Sequence, residues 1–133
     1  HGLCIPGGVE VAWMVVRYMV EKLVKEMSER FDLEFHLKYA LEGIGLTADQ
    51  KLYPYLNTEI FTNLIREEVN RRGYELLPCR VCIPAQNTFC AGCVMIMNSE
   101  YHIWVELGEY QPVPDKRRLE ISNISIKRVE KNE

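Results

Sequence analysis

This chain of 133 residues has no hydrophobic run long enough to cross a bilayer. Its most apolar stretch, Val11 to Val20, is ten residues long and contains Arg17, whereas a helical span takes about 20. It also lacks a basic excess: 16 Lys and Arg stand against 19 Asp and Glu, a net charge of −3. Bulk charge therefore gives no sign of a nucleic-acid binder, whose domains are usually basic. Phosphate-binding glycine loops, a G-x-S-x-G elbow and H-E-x-x-H are all missing, so no familiar enzyme class announces itself. The opening HGLCIPGG has no charged segment ahead of an apolar run, so a secretory leader is not expected there and an intracellular, cytoplasmic setting is. No membrane partner is expected, and no small-molecule substrate is identified.

Apolar residues make up 47% and charged residues 26%, enough for the core of one soluble domain spanning residues 1–133. A helical part is expected over about residues 9–72 and a β part over about 94–129. Val9 to Arg30 reads as the first helix: Val16, Val20, Leu23, Met27 and Phe31 recur at helical spacing. Its first half is apolar on nearly every side, which predicts burial on more than one side. Either the protein's own sheet wraps it or a second chain covers it, giving a homodimer through Val11, Met14, Val15 and Tyr18. A second helix, capped by Asp32, would carry Leu33, Leu37, Ala40, Leu41 and Ile44, and end at Gly43 or Gly45. Thr47 to Gln50 has the form of a capping box, closed off by Pro54. A third helix from about Thr58 to Arg72 would end at Gly73.

The period then changes. Tyr101, Ile103, Val105 and Leu107 alternate with His102, Trp104 and Glu106, a strand pattern. With residues 94–97 and a short polar turn this makes a hairpin. Pro112 and Pro114 predict a loop before a last strand, in which the apolar phase slips at Ser122-Asn123, the mark of a bulge. The expected fold is thus α+β: a three-helix portion, then an antiparallel sheet of three or four strands.

Chemistry concentrates between Pro78 and Val94. Cys79, Cys82, Cys90 and Cys93 follow C-x2-C-x7-C-x2-C and account for four of the five cysteines. Two such steps joined by a short loop can aim four thiolates at one centre, the arrangement that holds structural Zn2+. An iron–sulfur cluster would use other spacings, and two disulfides would need an oxidising compartment. A thioredoxin-like pair would need a βαβ setting. A zinc deaminase would need H-x-E upstream, but His36 is followed by Leu37-Lys38. His102, on the strand face away from the core, could replace one thiolate, though four cysteines are already at hand. Residues 74–97 resemble a zinc ribbon or zinc knuckle, with Ile83 and Val94 where a knuckle often has glycine. That resemblance implies a Cys4 zinc hairpin. The compact domain with an isolated metal site also resembles small proteins of archaea and their viruses. Cys4 is left over: a small hydrophobe or terminal thiol, or else a cross-chain disulfide partner or fifth ligand.

Lys116, Arg117, Arg118, Lys127 and Arg128 gather near the end of the chain. If they met at neighbouring strand ends they could hold phosphates. The sequence therefore points first to a zinc-stabilised binding or assembly protein, and second to a zinc-dependent nucleic-acid-binding regulator.

Overall fold

One long helix, α1 (Pro6–Leu41), replaces the two expected from sequence. A computed structural model describes residues 6–42, 45–47, 54–113 and 116–128. No proline or glycine lies between Gly8 and Leu41, so nothing forces a break at Asp32. Glu34 pairs with Arg30 at 3.4 Å and with Lys38 at 3.2 Å. The first of these one-turn pairs runs straight across the expected break. Leu33, Leu37 and Leu41, one turn apart, are buried and continue a single stripe.

The second and last helix among the described residues, α2 (Pro54–Arg71), begins at Pro54. Proline suits the first helical turn, where its missing N–H is not needed. Its end is the expected one: the Tyr74 N–H donates to the Val69 carbonyl and the Gly73 N–H to that of Asn70, both at 3.0 Å. With Gly73 at a φ of 88° this closes the helix as a Schellman turn. The three-helix portion is thus corrected to two helices. The would-be capping box at Thr47–Gln50 lies largely outside the described residues. Thr47 itself belongs to a short strand, β1 (Gly45–Thr47).

Three long antiparallel strands follow: β2 (Thr88–Ile96), β3 (Ser99–Val113) and β4 (Lys116–Arg128). With β1 at one edge the order is β1-β4-β3-β2. Met97 and Asn98, both at positive φ, make a two-residue turn joining β2 to β3, the form whose twist matches a hairpin. The expected loop at Pro112 is strand instead; Pro112 falls where the β3–β4 register shifts and beyond the reach of β2, so no ladder donor is lost. The bulge foreseen at Ser122 is present, with Glu106 opposite Asn123 and Leu107 opposite Ile121.

Both helices pack on one face of the sheet. Leu33, Leu37, Phe61, Ile65 and Val69 meet Val94, Ile96, Ile103, Val105, Ile124 and Ile126 in one core. The Glu34 carboxylate accepts the Ile126 N–H at 2.7 Å, and Arg30 donates to the Ile126 carbonyl at 3.3 Å. Side chains of α1 thereby satisfy a stretch of β4 edge that no strand covers. The first half of α1 does not meet the expectation of burial: every residue from Gly8 to Lys25 is exposed within the chain. The alternative of a helix wrapped by its own sheet is excluded.

Candidate metal centre

On a regular strand, residues three apart point to opposite faces. Cys90 and Cys93 both belong to β2, not to two knuckle turns, and would be separated in this way. The strand solves this with a bulge. Cys90 pairs with Trp104, Gly92 with Ile103 and Cys93 with His102, leaving Ala91 as the extra residue. Cross-strand partners share a face, and His102 and Trp104, two apart, share one as well. Cys90, Cys93 and His102 therefore meet on the sheet face turned away from the helices.

Gly92 makes room for the other pair of cysteines. Its φ is 148°, and a Cβ there would lie 2.6 Å from the Leu77 carbonyl oxygen. Only glycine admits that approach. It lets Leu77 exchange two backbone hydrogen bonds of 2.8 Å with Cys93. This bridge from Leu77 to Cys93 stands outside the named strands, and it anchors the segment carrying Cys79 and Cys82 beside β2.

The result is a cluster of five donors. The ligand atoms of Cys79, Cys82, Cys90 and His102 all lie within 4.8 Å of one another. His102 Nδ1 is 3.2 Å from Cys79 Sγ, 3.1 Å from Cys82 Sγ and 3.5 Å from Cys90 Sγ. Zinc bonds of about 2.3 Å to sulfur and 2.0 Å to nitrogen at a tetrahedral angle would separate S from N by roughly 3.5 Å. The cluster thus has the dimensions of a metal-binding site. Cys93 Sγ stands 3.5 Å from both ring nitrogens and shares a second group with His102 and Glu100. Glu100 approaches His102 Nε2 at 3.5 Å, placed to orient the ring as carboxylates do for ligating histidines. All four cysteines are free thiols, so the disulfide alternative has no counterpart in the structure.

The thiols are electrostatically unequal. Burial opposes ionisation of Cys79, but the backbone N–H groups of Val81 and Cys82 and the neighbouring thiols outweigh it and hold it down at about 6. Burial, then the nearby Cys79 charge, pushes Cys93 up to about 12. Burial likewise raises Cys82 and Cys90. Such a set holds one thiolate readily and needs a cation to hold more.

The sequence underrated His102. Its signal was the hairpin register: with a two-residue turn at Met97-Asn98, Cys93 falls opposite His102. Other predicted residues lie elsewhere. Lys116, Arg117 and Arg118 begin β4, and Lys127 and Arg128 end it. The two basic groups are thus roughly 30 Å apart along one strand, at about 3.3 Å per residue, and not at neighbouring strand ends. Val11, Met14, Val15 and Tyr18 are exposed on α1. No described helix is long and apolar enough to cross a membrane.

Fold and site together define an α+β protein with a cysteine–histidine cluster able to bind a metal. Comparison with protein-family models, curated proteins and solved structures gave no match, so the likeness to archaeal and viral proteins gains no support from them.

Proposed function

We propose that this is a non-enzymatic assembly protein whose fold is pinned by one structural zinc ion, held by Cys79, Cys82, Cys90 and His102. The observation that carries this reading is the spacing of three sulfurs around His102 Nδ1, 3.1–3.5 Å. Three thiolates and an imidazole suit zinc, and four protein ligands leave no open position for a substrate. The ion would join the segment carrying Cys79 and Cys82 to the β2–β3 hairpin, beside the backbone bridge from Leu77 to Cys93. Metal binding at such sites is folding free energy, on the order of 10 kcal/mol in zinc-finger peptides. Cys93 would stand beside the ion as a buried thiol, and Glu100 would hold the imidazole. The assembly half of the reading rests on α1, whose exposed apolar first half is unsuited to a solitary chain.

Native mass spectrometry and cobalt substitution test the metal half. We expect one metal per chain and a charge-transfer band of three-thiolate intensity. Cys93→Ser should retain the metal, whereas Cys90→Ser should lose it. A chain that takes up no metal under reducing conditions would refute this reading. A four-thiolate spectrum lost in Cys93→Ser would instead move the fourth ligand from His102 to Cys93.

A further inference from the structure

Among the exposed residues of α1, Val9, Trp13, Val16, Val20, Leu23 and Met27 follow one another at alternating steps of four and three. All six are at least half exposed. That repeat is the seam of a two-helix coiled coil, its residues taking the inward a and d positions. Gly8, Val9, Ala12, Trp13 and Val16 line a shallow hollow on this face. Val9, Ala12, Trp13 and Val16 have the i, i+3, i+4, i+7 arrangement of a coiled-coil hole, ready for a partner's side chain. Val11, Met14, Val15 and Tyr18 lie on the opposite side, in the sector of Glu21, Lys22 and Lys25.

Charge selects the partner and its direction. Glu10 and Arg17 occupy successive e positions beside the seam, and neither makes an ion pair among the described residues. In an antiparallel pair, e positions face e positions. Glu10 of one copy can then face Arg17 of the other, twice by symmetry, while Trp13 packs on Val16 and Val9 on Val20. Sliding the copies by one heptad would set Arg17 against Arg17, or Glu10 against Glu10. A parallel pair would set Glu10 and Arg17 against g positions, and Arg17 would then meet Ala12.

We propose that α1 pairs with α1 of a second copy as an antiparallel coiled coil through Val9, Trp13, Val16 and Val20, in the register fixed by Glu10 and Arg17. This rests on the assembly half of the proposed function and names its partner. It sends the two sheet-bearing portions to opposite ends of the paired helices, where they do not collide.

Sedimentation equilibrium of the metal-loaded full chain, with metal content measured on the same sample, tests it. We expect a dimer. Glu10→Lys and Arg17→Glu, each replacing two attractive pairs by two repulsive ones, should weaken it roughly tenfold. The double variant should return to within about threefold of the parent, and Val16→Asp should give a monomer that keeps its metal. A metal-loaded monomer at tens of micromolar would overturn the pairing and leave the zinc reading intact, as would a trimer. A dimer indifferent to both charge reversals would overturn it too. A dimer with the expected swap behaviour but no metal would support the pairing and sink the zinc reading.

Discussion

Gly92 governs the metal face through a contact it avoids. Any side chain there would meet the Leu77 carbonyl and Leu76, at a φ that L-residues rarely adopt. Gly92→Ala should therefore destabilise the protein by on the order of 3 kcal/mol. It should also weaken metal uptake, because it pushes Cys79 and Cys82 away from β2; urea denaturation and metal titration read the two effects. The unequal thiols give a second test. A group held down at about 6 is ionised above that pH, so in metal-free reduced protein Cys79 should alkylate first. Its rate should rise through about pH 6 and level off, while Cys93, at about 12, stays protonated and slow; peptide mapping after brief iodoacetamide exposure checks this. The cysteine spacing was legible in the sequence because ligand chemistry is local. The place of His102 was not, because it depends on the hairpin turn, and a polar turn put after residue 97 rather than at Met97-Asn98 hides which residue faces Cys93.

Breaks and caps are where local preference misled. Asp32 has the chemistry of an N-cap, but Leu33, Leu37 and Leu41 extend a buried stripe, and Arg30 and Glu34 bridge the position on a neighbouring face. Tertiary burial outweighs a capping preference of about 1 kcal/mol. Asp32→Ala separates the two descriptions. At a cap it would destabilise by about 1 kcal/mol; inside a continuous helix it should be neutral or stabilising by up to roughly 0.5 kcal/mol, since alanine is the better helix former. Thermal unfolding of the metal-loaded protein decides. Elements with strong local punctuation were read well: Gly73 ends α2, and the slip at Ser122 is a bulge. Pro54 and Pro112 were both taken as breakers. Each is tolerated because of where it sits, one in a first helical turn and the other where β3 has outrun β2, and neither position is visible without the rest of the fold.

At the scale of the molecule, the two ends of α1 have different reasons to be helical. From Glu26 to Leu41 the helix is held by the core and by Glu34 and Arg30 on the β4 edge. From Gly8 to Lys25, over roughly 27 Å at 1.5 Å per residue, every residue is exposed. Isolated helices of that length are marginal in water, and this one is rich in valine, a poor helix former. It has the folded remainder of α1 as a nucleus, but no packing of its own to offset the entropy of ordering. In the proposed pairing a second copy would supply that packing, so helix and dimer should form together. Dilution across the dissociation range should then lower the ellipticity at 222 nm reversibly, by up to about 18 helical residues per chain. In the cobalt-substituted protein the thiolate charge-transfer band should stay constant, because the sheet and its candidate metal site lie outside the paired segment. Val16→Asp should show the diluted spectrum at every concentration. If the ellipticity is instead independent of concentration while the parent dimer dissociates, the first half of α1 is a rigid helix without its partner and its folding is not coupled to pairing.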